Sequence, residues 1–381
     1  MSMSHSAAAE IAASPAAARP ITFPMTTPPE NGACMEIAPG ILWARLALPF
    51  RLNHVNIYLI EDGDGYAAVD TGIADDRTKD AWQALLAGPL KGKRLTRLIV
   101  THHHPDHIGL AGWLCAEFGI PLLTSQTGFL ACNNISLSPD ALGSEAYRAF
   151  YRAHGMSDAT AETVSTQGNF YLRMVTPLPL TFFRLVAGEK LKIGSRTFDI
   201  LSGDGHAPEQ IMLYDASAKL LFAADQVLAR ITPNVSVWAV EPDGDPLGLY
   251  TRSLGAIAAG LPDDTFVLPG HELPFYGLHT RIGEILAHHE ERCDIILSAV
   301  RARPMTVADL VPVLFPRPLD PHQMSFAFSE THAHVNLLIH RGNLVFVRDM
   351  EGVQRVFRGC SEGVQRVFRG CSEGVQRVFR G

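Results

Sequence analysis

An α/β layered fold is predicted for this chain by three observations. Residues 66–118 alternate apolar strand, loop and amphipathic helix, as a sheet covered by helices does. Short apolar strands resume after residue 197, and several run straight into a loop bearing His or Asp. The chain has 381 residues, 47% hydrophobic and 19% charged, so it buries a large core and holds more than one domain; no apolar run approaches the roughly 18 residues of a membrane span.

Residues 1–33 are rich in Ala, Pro, Ser and Thr, lack a basic start and are interrupted by Glu10, Pro15 and Arg19. Residues 1–34 therefore read as a disordered arm rather than a cleaved signal. Ordered structure is expected from Met35. Residues 40–59 hold two strands, Glu61-Asp-Gly-Asp-Gly65 has hairpin-turn chemistry, and 66–69 return as a strand that Asp70-Thr-Gly72 ends. Helical spacing covers 75–86 and 106–118, with a strand at 95–100 between them. From about 125 to 187 aromatic-rich helices replace this alternation. Such an insertion is either a lid over a site or a helical subdomain packed on itself. Strands follow at 197–201, 211–214, 220–223 and 265–268, then a helix at 278–300 that closes a catalytic domain of residues 35–300.

In residues 301–359, Thr306 and Asp309 make a capping box, Pro321 opens a second helix, 324–340 holds a third, and 344–347 with 353–357 form a hairpin. That is the plan of a winged helix. An 11-residue unit, Glu-Gly-Val-Gln-Arg-Val-Phe-Arg-Gly-Cys-Ser, recurs from Glu351, Glu362 and Glu373. Its first copy supplies the second wing strand. The later copies, in the tail 360–381, have no partner strand in that plan and read as surplus, since solenoid units are usually about 20 residues or longer.

The formal charge of −7, from 32 Lys+Arg against 39 Asp+Glu, argues against the basic footprint of a nucleic-acid binder. Outside the repeat, Cys34, Cys115, Cys132 and Cys293 show no C-x-x-C spacing. They suit a reducing, cytoplasmic setting and incidental thiols.

The chemistry concentrates in Thr101-His-His-His-Pro-Asp-His107, directly after an apolar strand. It gathers His102, His104, Asp106 and His107 on one strand-to-helix loop, four metal-competent side chains at the mouth of a sheet. His103, between them, should point away. Three more candidates each lie just beyond an apolar strand: His206 in Ser202-Gly-Asp-Gly-His206, Asp225 after Leu221-Phe-Ala-Ala224, and His271 after Val267-Leu-Pro-Gly270.

These motifs, in this order and with Asp70-Thr-Gly72 upstream, resemble the metallo-β-lactamase superfamily of αββα-sandwich hydrolases over roughly residues 38–290. The resemblance implies two divalent metal ions: His102, His104 and His206 on the first, Asp106, His107 and His271 on the second, and Asp225 bridging. Five imidazoles and two carboxylates form a mixed set that suits Zn, with Fe or Mn also compatible. Two ions about 3.5–4 Å apart share a hydroxide as nucleophile, so no Ser or Cys is required. Asp106 and Asp225 are the catalytic carboxylates, Asp106 also as acceptor of the hydroxide proton. Asp70 is expected to orient a ligand histidine or the adjacent loop.

Other histidines carry weaker expectations. His54 either reaches the site mouth or packs ordinarily, and Tyr276 and His279 line the pocket. His332 and His334, two apart on a helix, are poor joint ligands. His288 and His289 read as a solvated helix surface.

The superfamily spans thioesters, lactones, β-lactams and phosphodiesters, so local features must choose the substrate. The aromatic insertion, the apolar run 235–240 and the negative charge favour a small apolar ester, thioester or lactone. An endoribonuclease using the winged-helix-like segment is the alternative. Residues 291–381 carry 12 Arg, no Lys and 9 Asp+Glu, a net of +3, and 324–340 contain no Lys or Arg. This argues against a phosphate-facing recognition helix. The expected partner is thus a small molecule rather than nucleic acid or membrane, with the appended segment serving packing or homodimer formation. β-Lactam cleavage would be a side reaction.

Overall fold

A computed structural model of the chain describes residues 19–166, 170–349 and 352–358. Its strands are β1 (Cys34–Ala38), β2 (Ile41–Ala47), β3 (His54–Asp62), β4 (Gly65–Val69), β5 (Arg94–Ile99), β6 (Leu122–Thr124), β7 (Phe183–Arg184), β8 (Lys190–Ile193), β9 (Arg196–Gly203), β10 (Gln210–Asp215), β11 (Leu220–Ala224), β12 (Phe266–Pro269), β13 (Leu344–Arg348) and β14 (Gln354–Arg358). The helices are α1 (Asp76–Ala87), α2 (Pro105–Ile108), α3 (Ala111–Phe118), α4 (Gln126–Leu137), α5 (Glu145–Ala153), α6 (Asp158–Ser165), α7 (Phe170–Arg173), α8 (Pro246–Gly260), α9 (Leu278–Ala302), α10 (Val307–Leu314) and α11 (Pro321–His340).

β1 to β7 form one sheet in chain order, and β12-β11-β10-β9-β8 form a second. Successive side chains of a strand point to opposite faces, so each sheet presents two apolar surfaces. Tyr58, Ile60, Phe198, Ile211, Phe222 and Leu268 fill the space between the sheets. Ile57 and Leu59, on the other face of β3, pack with Trp82, Leu85 and Leu114 of α1 and α3. Tyr250, Leu254, Ile282 and Ile285 of α8 and α9 cover Met212, Leu221 and Val267. The result is the αββα sandwich.

The expected helix over 106–118 is broken at Gly109–Leu110, and the Asp70-Thr-Gly72 loop is the cause. The Thr71 and Gly72 N–H groups donate to the carbonyls of His107 and Asp106, each at 3.0 Å, and Leu110 N–H turns to Thr71 Oγ1 at 3.0 Å. Carbonyls that would continue the helix instead clamp one ligand loop to another. Only glycine fits at 109, where a Cβ would lie 2.4–2.6 Å from three backbone oxygens.

Several sequence expectations are corrected. The arm is ordered from Arg19 onward: Thr22 pairs with Tyr276, and Ile21, Phe23 and Met25 pack on the core. Residues 1–18 and the tail 359–381, with the surplus repeat copies, lie outside the described residues. Helix α8 lacked an expectation altogether. The two helices expected from Pro321 and 324–340 are one, α11, because Asp320 caps it and Pro321 sits at its first position, where its missing N–H costs nothing. The third helix of the group is α9, which packs with α10, α11 and β14. A residue-300 boundary therefore falls near the end of α9, and Phe150, Val164, Phe328, Leu338 and Val356 share one core across it. The insertion does not pack only on itself: α6 packs against α11, while Phe129 and Cys132 of α4 join the α1–α3 layer.

Candidate metal centre

Five loops at the carboxyl ends of β4, β5, β9, β11 and β12 converge, the usual location of a site in a layered α/β fold. They bring Asp70, His102, His104, Asp106, His107, His206, Asp225 and His271 together. Donor atoms of His102, His104 and His206 lie within 4.8 Å of one another, as do those of His102, His107 and Asp225, and those of Asp106, His107 and His271. Asp225 stands in the middle. Its Oδ1 is 3.4 Å from His107 Nε2, while Oδ2 is 3.4 Å from His206 Nε2 and 3.3 Å from His271 Nε2. His271 Nε2 is also 3.3 Å from Asp106 Oδ2.

The outward ring nitrogens are anchored, which aims the inward ones. His107 Nδ1–H donates to Asp70 Oδ2 at 2.8 Å, His206 Nδ1–H to the Asn234 carbonyl at 2.8 Å, and His271 Nδ1–H to the His54 carbonyl at 2.7 Å. Each therefore turns its Nε2 to the centre. Asp70 also accepts from Thr101 N–H and Oγ1–H at 2.8 and 2.9 Å, so it holds both the ligand loop and a ligand ring. The Nε2 atoms of His107 and His206 and Oδ1 of Asp225 are buried without a hydrogen-bond partner. Buried polar atoms are almost always satisfied, and orphans aimed at one point fit cations placed there.

Sequence reasoning missed several residues that hold this geometry. Asn56 donates from Nδ2 to the carbonyls of Pro269 and Glu272, fixing the turn that carries His271, and accepts from Trp43 Nε1–H and Arg45 Nε–H. Glu272 accepts from the N–H of Arg230 and Ile231, tying the 230–240 loop to the same turn. Tyr171 donates its hydroxyl to the His103 carbonyl at 2.6 Å. The backbone is strained beside the donors: Asp70, Ala224 and Glu272 have φ of 64°, 45° and 67°. A Cβ on Gly270 would lie 2.2 Å from Asp225 Oδ1, so only glycine lets β12 approach.

Burial, with the neighbouring imidazoles, holds His102 and His104 well below the usual histidine range, so both rings are neutral, the form in which an imidazole can bind a metal ion. Burial also works against an imidazolium at His107 and His271. The carboxylates of Asp225 and Asp106 outweigh it, raising His107 well above its ordinary value and His271 to about 10. Burial likewise disfavours the Asp106 and Asp225 carboxylates, yet His107 and His271 hold both below the carboxylate range. Among the described residues these two carboxylates make ion pairs only with histidines. The centre thus demands positive charge, which divalent ions supply by displacing protons from their ligands.

Other candidates lie elsewhere. The His54 side chain accepts from Glu272 N–H at Nε2 (2.8 Å), and burial near Arg45 and His271 lowers it to about 3. It is a neutral brace behind His271. Tyr276 and His279 are not in the pocket: Tyr276 stacks on Phe266, at the start of β12, and His279 Nε2–H donates to the Leu261 carbonyl at 2.8 Å. After His271 the chain doubles back along β12, pairing Phe275 with Val267, and carries both residues to the strand's far end. His289 is buried against His334 (3.1 Å between Nδ1 and Nε2), contrary to the solvated surface expected.

Layered sheets, strand-end loops and this donor set define a metal-dependent hydrolase of the αββα class. The metallo-beta-lactamase superfamily profile matches residues 51–271, and a metallo-beta-lactamase-like C-terminal domain profile matches 293–358; the chain belongs to that superfamily. It is similar to the crystal structure of a beta-lactamase domain protein from Burkholderia ambifaria (36% identity, TM-score 0.82, covering 89% of this chain and 98% of that one). A metallo-beta-lactamase family protein from Thermus thermophilus aligns at 28% identity and TM-score 0.72, over 85% of this chain and all of that one. Among curated relatives, a probable metallo-hydrolase, YqjP, of Bacillus subtilis is 24% identical over 82% of this chain and 98% of its own length. A hydroxyacylglutathione hydrolase of Cereibacter sphaeroides is 24% identical over 56% of this chain and 61% of its own.

Proposed function

We propose that the protein is a dinuclear zinc hydrolase that cleaves a small carboxylic ester, thioester or lactone. The observation that carries this reading is the central Asp225, whose two oxygens face His107 on one side and His206 and His271 on the other. His102, His104 and His206 would hold one ion and Asp106, His107 and His271 the other, with Asp225 between them. Zinc held by such a set would polarise the scissile carbonyl and lower the pKa of a bound water to about 7. The chain's own residues do the rest. Asp70, Asn234 and the His54 carbonyl keep three ligand rings turned inward. The Asp106 side chain is 20% exposed against 7% for Asp225. Asp106, the more exposed of the two, would then accept the proton of the attacking water.

Helix α11 supports a small substrate over RNA. It has no Lys or Arg, and its residues from Ala327 to Leu338 are almost all buried, so it offers no basic face to a phosphate backbone. No helix among the described residues is long and apolar enough to cross a membrane. The test is a panel of aryl ester, acyl thioester, lactone, β-lactam and single-stranded RNA with zinc-loaded protein, using Asp225→Ala as control. Turnover of an acyl substrate that chelators and the substitution abolish is expected; RNA cleavage alone would reject the reading.

A further inference from the structure

A string of aromatic side chains joins three separate segments. Phe170 of α7 meets His322 of α11 with ring centroids 6.4 Å apart, His322 meets Phe326 at 4.9 Å, and Phe326 meets Trp238 at 6.0 Å. Phe170 and Phe326 are 43% and 37% exposed, and nearby in the chain Val240 is 76% exposed. In the run 235–240, Val235 and Val237 point into the core, Trp238 is half-buried and Val240 is exposed. Large apolar groups clustered at the surface mark a binding surface more often than chance. Arg173 places its guanidinium 5.4 Å from the Phe170 ring centre, adding one cation to the string.

Residues near both ends of the string are hydrogen-bonded to the loops of the first donor triad. Tyr171, next to Phe170, donates to the carbonyl of His103, between His102 and His104. At the other end, the Asn234 carbonyl receives the Nδ1–H of His206, four residues before Trp238. A substrate whose scissile bond lies at the metals would extend toward these rings.

We propose that Phe170, Trp238 and Phe326 form the wall that binds the non-reacting half of the substrate, and that this half is a flat aromatic group. Arg173 sits where an anionic substituent on that group would be received. The inference rests on the hydrolase reading above. It also gives the C-terminal segment a part in specificity, since α11 delivers Phe326 and His322.

The test uses full-length zinc-loaded protein and two chelating probes, acetohydroxamic acid and 2-naphthohydroxamic acid, titrated by calorimetry. They share the metal-binding group and differ in the ring. Burying that ring should tighten binding about 30-fold in the unaltered protein. In Phe326→Ala, and independently in Trp238→Ala and Phe170→Ala, the advantage should shrink to about threefold or less, with acetohydroxamate affinity and zinc content unchanged. A ring advantage that is missing at the start, or equal in all the proteins, overturns the wall. If neither hydroxamate binds, the metal-site reading and the wall fall together. Ring discrimination without turnover of any acyl substrate would support the wall and reject the acyl-hydrolase reading alone.

Discussion

At the strand ends, His107, His206 and His271 lie within 3.4 Å of Asp225, each with its far nitrogen anchored. Between the insertion, α9 and α11, four more histidines are equally buried and have quite different company. His154 lies 4.1 Å from His332 between ring centroids, His332 stacks on Phe150, and His289 meets His334. Among the described residues no carboxylate pairs with these four, and no group of three metal donors includes them. Burial and histidine number therefore do not make a metal centre. A carboxylate shared among rings, on loops held by strained backbone, does.

Five substitutions and one truncation test that contrast, from the largest effect to the smallest. Asp225→Ala should lower kcat by about a thousandfold or more and leave fewer than two zinc ions per chain, whereas His332→Phe keeps both ions. Elemental analysis beside the rate assay decides, and two ions retained in Asp225→Ala would break the distinction. Gly270→Ala forces a methyl against Asp225 Oδ1, and should cost metal while the far-ultraviolet circular dichroism spectrum stays native. Asp70→Asn removes the charge that anchors His107, and is expected to weaken metal binding about 10–100-fold in a chelator competition.

The second histidine group should instead appear in stability. Burial, with Arg348 nearby, lowers His154 to about 4; burial beside His334 lowers His289 to about 3. Unfolded histidine, near 6.5, binds protons that these folded sites refuse, so stability falls as pH drops from about 6.5 to about 4. Thermal melts should show that decline reduced in His154→Phe relative to the unaltered protein; an identical slope would remove the account. Ending the chain at Gly359 should change kcat/KM by less than about twofold, since a repeated unit adds no new side-chain chemistry.

The metal loops were legible because each donor follows an apolar strand and four of them share one short motif. What the sequence hid was long-range. Asn56, Asn234 and Tyr171 act on donors far away in the chain, and nothing local marks them. Tyr276 and His279 misled because proximity in sequence to His271 does not survive a reversal of the chain. Helix α8 had a readable start, Asp245 followed by Pro246, an N-cap and a first-position proline. The metal-ligand helix broke where Thr71 and Gly72 took its carbonyls, a competition that no helical periodicity encodes.

The core that joins Phe150 and Val164 to Phe328 and Val356 has a consequence for biosynthesis. A ribosome adds about 5–20 residues per second, and domains tend to fold as they emerge. The insertion helices therefore exist for about 8 seconds or more before α11 is made, and α9 for only about 1–4 seconds, with their shared apolar faces still open. The nascent chain must wait for its last helix and hairpin to close a layer begun some two hundred residues earlier, and in that interval it is most exposed to aggregation and most in need of a chaperone.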